Sequence, residues 1–481
     1  MIRMSTSKLT LAVAAALALG CASTSPKGAY DATASAIEDR LGQRVHWNQG
    51  TDEDNQVAAR VHELLQKELD VNAAVQIALV NNPGLQATFE ELRIAQADLV
   101  QAGLLKNPAF GGALLFPISN DSSESKAVTD VQVNVVADFL DVFAIPARKH
   151  IAESRLEAAK FRVGDAAIGL AYDVQSAFYS AQGAAQVLAM RRAVLDAGEA
   201  AMELARRQHD AGNTSDLDLA NEQAVYEQLR LDVAQSEAEL LSARESLTRL
   251  MGVWGADTEW KIAGKLPELP PSDPPLEHLE SLAIARRFDL AAMHAEVQAL
   301  SDSVAFVKNY RWLDTSIGAA VERTHEGLVI AGPSGTIVLP LFDQKQAVVA
   351  KLEGMMRQAQ ARETAMAIDI RSEVRIVRAR VVLTRGLVER YTTVVVPLRE
   401  RVVALSQQQY NSMLIGIYQV LIAKQNEIAA YRELIMAARD YWIARADLER
   451  SVAGRIVDPA DPKSMSKPEE KPEDKPAEKK E

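Results

Sequence analysis

Residues 146–211 contain no proline after Pro146, and no other property of this chain restricts its fold so tightly. As one α-helix the stretch reaches roughly 100 Å, far beyond the helix of an ordinary globular domain. Residues 344–412 form a second stretch of the same reach, about two hundred residues downstream, a period too long for a solenoid. Both lie inside a duplication. Residues 75–252 and 281–454 each read as helix start, short amphipathic helix, strand pair, very long helix, tight turn and return helix. "QHDAGNTSDLDLANEQ" in the first copy lies over "QYNSMLIGIYQVLIAKQ" in the second. A doubled half-molecule predicts two halves in equivalent places of something symmetric.

The long stretches carry coiled-coil spacing. Ile370, Val374, Val377, Val381, Thr384, Val388, Tyr391, Val395, Leu398, Val402 and Leu405 follow strict four-three steps, the period-3.5 seam of packed helices. Leu170, Val174, Ala177, Ala181, Ala184, Leu188 and Leu195 repeat that spacing with smaller side chains. In the return helices Tyr226, Val233, Leu240 and Leu247, and then Leu421, Ile428, Ile435 and Trp442, recur every seven residues. A return helix of roughly 55 Å plus the roughly 35 Å helix that Pro83 starts match one long helix, which predicts a rod beside two coaxial shorter ones.

Between these helices the texture changes. Val131, Val133 and Val135 alternate with Gln132 and Asn134, a strand with one apolar and one polar face. Residues 108–118 supply its hairpin partner, and residues 315–323 and 336–341, around a loop containing "GPSG", supply the second hairpin. Such hairpins are not stable alone, so they join others in a soluble sheet or in a barrel shared between chains. Beyond the N-terminal leader no apolar run is long enough for a transmembrane helix, so any crossing must be by strands.

Residues 1–20 read as a leader: Arg3 and Lys8, an apolar run at 9–19, then Gly20 before Cys21. Removing the leader takes the net charge from −12 to about −14, and no basic stripe offers a nucleic-acid footprint. Cys21 is the single cysteine, which excludes disulfides within the chain and thiolate metal sites. Residues 21–68 read as an extended N-terminal arm. A first repeat is expected at 69–254 (strands 108–139, long helix 146–211, return helix 215–251), a linker at 255–275, and a second repeat at 276–456 (strands 315–341, long helix 344–412, return helix 417–453). The Pro, Lys and Glu tract 457–481 lacks the apolar residues to fold and is expected to be disordered.

No catalytic constellation is present. The seven histidines are scattered without an HExxH pair, Met355 and Met356 read as packing residues, and "GPSG" lacks the spacing and lysine of a phosphate loop. No enzyme activity, metal site or cofactor is expected. The turns that end the long helices hold most functional promise. Gly212 suits a left-handed helix end and Ser215 or Asp216 a cap for the return helix. In the second turn Met413 stands where glycine is expected, Leu414 and Ile415 are apolar, and Gly416 comes three residues late.

Taken together, "ALVNNPGL" at 78–85, "AGNTSDLDL" at 211–219, "SLTRLMG" at 246–252, "FDL" at 288–290, "LPLFD" at 339–343 and "YNSMLIG" at 410–416 resemble the TolC-like outer-membrane efflux channel family over residues 70–454. Pro397 inside the second long helix fits the same pattern, and "ALGC" at 18–21 resembles a bacterial lipobox with Cys21 as the acylated residue. Ala22 after it implies the outer membrane. The resemblance implies a mainly α fold with a small β part: long antiparallel coiled-coil helices form a trimeric α-barrel tunnel, and four short strands per chain join a shared twelve-stranded transmembrane β-barrel. It implies a homotrimer that takes substrate from an inner-membrane pump through a periplasmic adaptor. Gly212, Asn213, Thr214, Ser215, Leu414, Ile415 and Gly416 would then be adaptor-docking tips. No Asp or Glu lies between Glu400 and Glu427, so the expected gate is apolar, built by Tyr410 and Met413 with Asp210 from the first turn. Phe110, Phe116, Phe139, Phe143, Trp312 and Phe342 would be interfacial aromatics. The expected cargo is small toxic compounds, drugs or heavy-metal ions. A duct for type I protein secretion and a non-conducting coiled-coil lipoprotein scaffold are the alternatives.

Overall fold

A computed structural model describes residues 24–115, 130–137, 139–262, 264–273, 275–310, 315–323, 328–338 and 341–456. The expected leader 1–20, the acyl site Cys21, Phe116, Trp312 and the tail 457–481 lie outside the described residues. So do the side chain of Phe139 and the loop between the first two strands.

In chain order the elements are α1 (Lys27–Leu41), α2 (Asp52–Leu65), β1 (Glu68–Leu69), α3 (Val71–Asn81), α4 (Pro83–Gly103), β2 (Ala109–Leu115), β3 (Asp130–Ala137), a 3-10 turn (Phe139–Phe143), α5 (Ile145–Asp210), α6 (Asp216–Met251), β4 (Lys261–Ile262), α7 (Leu279–Arg286), α8 (Phe288–Asn309), β5 (Thr315–Arg323), β6 (Val329–Ile337), α9 (Gln346–Arg390), a π-helical turn (Tyr391–Val395), α10 (Val396–Asn411) and α11 (Ile417–Ser451). Local chemistry sets several boundaries. The Asp70 carboxylate accepts from the Ala73 N–H at 2.7 Å and starts α3, and Pro83 opens α4, where its missing N–H costs nothing.

The chain divides into two compact units. The first gathers the described parts of Met1–Ala36, Pro83–Ala166 and Phe288–Ile368, including the four-stranded sheet. Here α5 needs Gly164, because a Cβ at that position would stand 2.7 Å from the Phe288 ring. Phe161 packs on the same ring at 5.9 Å. Lys308 to Glu353 (2.6 Å) and His294 to Glu363 (3.0 Å) tie α8 to α9. Arg148 grips Asp141 with both terminal nitrogens, at 2.7 and 2.8 Å, and fixes the start of α5 to the 3-10 turn.

The second unit gathers Ile37–Asn82, Ala167–Arg287 and the described part of Asp369–Glu481. The expected linker 255–275 is pinned within it. Gln182 donates to the Lys265 carbonyl at 2.6 Å, Trp442 to that of Pro267 at 3.0 Å, and Arg385 to those of Pro270 and Pro271 and to Asp273. Trp260 is buried, its indole N–H donating to Thr248 while Arg244 lies 4.0 Å from the ring centre. Residues β1 and β4 form a small parallel pair, Glu68↔Lys261 and Leu69↔Ile262, that the sequence did not announce.

Three expectations need correction. The N-terminal arm is not extended: α1 buries Ala29, Thr33, Ile37 and Leu41 along one stripe. Steps of four with small residues gave a weak apolar signal, which hid the helix. The strand expected at 336–341 runs instead from Val329 to Ile337, and "GPSG" lies inside it rather than in a loop. Pro333 is tolerated because β6 is an edge strand. The second long helix is not uniformly α: Tyr391–Val395 form a π turn immediately before Pro397. Proline removes one backbone N–H and crowds the carbonyl four residues back, and widening the turn by one residue relieves that clash.

Candidate functional site

Strand alternation builds a sheet with two different faces. The order is β2-β3-β5-β6, all antiparallel, with Phe110↔Val135, Val133↔Val321 and Val321↔Ala331 among the paired positions. Successive residues point to opposite sides. Phe110, Leu114, Val131, Val133, Val135, Ile317, Val321 and Val329 therefore share one face, with Arg323 a charged exception, and Gln132, Asn134, Ser316, Glu322, Ser334 and Thr336 share the other, with Val136 and Ile330 apolar exceptions. The apolar face is uncovered: Phe110 is 75% and Val329 62% exposed. Phe143 and Phe342, close in sequence to the helix-side ends of the hairpins, are exposed as well. Edge strands β2 and β6 each leave a row of backbone groups without an in-sheet partner.

The two helix-hairpin tips share one backbone geometry. Gly212 has φ 75° and donates to the His209 carbonyl, and Asn213 donates to that of Gln208. Met413 has φ 60° and donates to the Tyr410 carbonyl, and Leu414 donates to that of Gln409. This is the left-handed helix end in which glycine is normal; a side chain there costs roughly 1–2 kcal/mol. Gly416 is not a late replacement for that glycine. It occupies the N-cap of α11, as Ser215 does for α6, and its N–H donates to Gln419 Oε1 at 2.7 Å. The Ser215 hydroxyl accepts from the Asp218 N–H at 3.2 Å.

Met413 is 94% and Leu414 74% exposed, while Ile415 is half-buried. Gly212, Asn213 and Ser215 are exposed and Thr214 half-buried. Tyr410 and Met413 share the second turn, whereas Asp210 lies beside His209 of its own helix. Sequence reading missed His209, whose Nε2 meets Asp216 Oδ1 at 2.7 Å across the first turn. It also missed Leu217, exposed at the start of α6. Further up the second hairpin, the Tyr431 hydroxyl donates to Glu400, and that hydrogen bond pushes the phenol up to about 12. An apolar groove of about 440 Å³ between α5, α6 and α11 is lined by Val194, Leu229 and Ile428 and bordered by Glu222, whose carboxyl burial raises.

Along α9 the expected seam is buried at Ile370, Val374, Val377, Val381, Thr384 and Val388. Past the π turn its continuation is not. Leu398 is 57% exposed and Val402 and Leu405 are also exposed, while burial passes to Val396, with Val403 and Ser406 half-buried. The seam has slipped by one residue. A second stripe, Ile376, Leu383, Leu387, Val394, Leu398 and Leu405, steps by seven and four and is exposed throughout. Among the described residues no cluster of three or more His, Cys, Asp or Glu is arranged to hold a metal ion, and no helix is long and apolar enough to cross a membrane.

Residues 74–253 match the family model described as outer membrane efflux protein. The cobalt-zinc-cadmium resistance protein CzcC of Cupriavidus metallidurans is 25% identical over 298 residues, covering 60% of this chain and 67% of that protein. Among solved structures, the CmeC outer membrane channel of Campylobacter jejuni aligns with a TM-score of 0.70 at 16% identity, over 81% of this chain and 87% of its own. A membrane protein from Pseudomonas aeruginosa aligns with a TM-score of 0.69 at 20% identity, over 79% and 92%.

Proposed function

We propose that this chain, a member of the TolC-like outer-membrane efflux family and so a channel protein rather than an enzyme, is the passive outer duct of a tripartite efflux system. Three copies close one twelve-stranded barrel, four strands from each chain, and continue it as a helical tunnel. The observation that carries this reading is the two-faced sheet. An uncovered apolar face and two open edges are costly in water, and a closed barrel in lipid resolves both. The exposed stripe on α9 and α10 supports the helical part, since a heptad row without a partner in its own chain calls for a helix from another. Strands of seven to nine residues are short for a bilayer, and acyl chains on Cys21 would help to hold a shallow barrel at the outer membrane.

The tips are the docking points for a periplasmic adaptor that leads to an inner-membrane pump. Exposed Met413 and Leu414 suit an apolar contact there, and Tyr410 and Met413, with Asp210, narrow the closed entrance. Likeness to a protein named for cobalt, zinc and cadmium resistance favours heavy-metal ions as cargo over drugs or polypeptides. Planar-bilayer recording from the purified full-length oligomer tests the core of this proposal. Stable conductance steps are expected, larger after Met413→Ser. An oligomer that assembles yet never conducts, with or without that substitution, would make the protein a scaffold instead.

A further inference from the structure

We infer that Glu322 sets the ion preference of the pore at its outer mouth, favouring cations. The inference rests on the barrel reading above and adds to it one residue with a defined task. Among the described side chains of the sheet only two carry charge, Glu322 and Arg323, and as neighbours in β5 they point to opposite faces. Glu322 lies on the polar face, beside Gln132 on β3 and Ile330 on β6. Arg323 lies on the apolar face, beside Val131 and Val329.

The register places both at the hairpin end of β5, eight strand positions or fewer from the end that follows α8. An arginine on a lipid-facing surface belongs where its guanidinium reaches headgroups and water. Arg323 therefore marks the edge of the apolar band, and Glu322, one residue away, stands at that level on the inner wall. Three-fold repetition makes it a ring of three carboxylates, and among the other described side chains of that wall Gln132, Asn134, Ser316, Ser334 and Thr336 are polar and neutral. Rings of Asp or Glu that line a water-filled pore favour cations over anions. The preference suits a duct that releases positively charged cargo.

Reversal potentials in a KCl gradient, measured on the full-length channel in a planar bilayer, test this. Wild type is expected to prefer K⁺. Glu322→Gln should lower the cation-over-anion permeability ratio about twofold at 0.1 M salt and further at 0.01 M, where screening reaches ~30 Å instead of ~10 Å. Glu322→Lys should shift it further in the same direction, and Arg323→Gln, on the outer face, should leave it in place. Glu322→Cys offers a second route through an assembled channel, because the chain has no cysteine other than Cys21. A thiol reagent carrying a sulfonate should restore cation preference and one carrying an ammonium should not. A conducting channel whose reversal potential is the same in wild type, Glu322→Gln and modified Glu322→Cys overturns this inference and leaves the duct standing. An oligomer that conducts neither as wild type nor as Met413→Ser overturns both.

Discussion

Asn81 and Asn82 show how a family motif becomes a contact. Asn81 donates to the Met251 and Gly252 carbonyls at 3.1 and 2.9 Å, and Asn82 to that of Leu250 at 2.8 Å. Two short amides thus satisfy the carbonyls left open where α6 ends. "ALVNNPGL" and "SLTRLMG" were both visible in the sequence, but their meeting was not, since some 170 residues separate them and spacing reports only local neighbours. Asn82→Ala should destabilise the protein by about 1 kcal/mol, the cost of leaving a partly buried acceptor unmatched. The thermal midpoint of the purified protein should fall, and an unchanged midpoint would reduce the contact to surface decoration. Met413 was the opposite case. Its departure from glycine was legible from the repeat alone, and only its left-handed backbone needed coordinates.

At the scale of elements, helices were legible wherever the apolar period persisted, as in α5, α6 and α11. The slip at Tyr391–Val395 was not, because the four-three spacing continues through Tyr391, Val395, Leu398, Val402 and Leu405 without a break. The cause is a backbone demand of Pro397, and it does not appear in the side-chain pattern. β6 failed for a related reason: glycine and proline usually signal turns, and only the sheet order reveals an edge that accepts them. Pro397→Ala should let α9 and α10 run on as one α-helix and turn the downstream face by about 100°. Hydrogen exchange should slow across residues 391–397, while the proposed oligomer should weaken because Leu398 and Leu405 no longer point outward. Faster or equal exchange in the variant would assign the π turn to something other than proline.

For the whole molecule, the mainly helical class and paired hairpins followed from sequence, whereas the exposed second stripe did not, since exposure is a property of what surrounds a helix. Each leucine of that stripe buried by a neighbouring chain contributes about 1.5–3 kcal/mol. If the proposed trimer forms through this stripe, Leu383→Ser combined with Leu398→Ser should lower the trimer fraction in native mass spectrometry and keep the helical circular dichroism. Val381→Ser, in the buried seam, should lose the folded chain itself. The π turn divides the long helix into two genetic territories. Above it, a damaged seam residue removes its own subunit and nothing else, so such an allele is recessive when a good copy is present. Below it, in the proposed trimer, the same heptad letter belongs to the neighbours, and a chain that folds but seats badly would enter mixed trimers and spoil them. Leu398→Ser should accordingly be dominant over a co-expressed wild-type copy, and Val381→Ser should not.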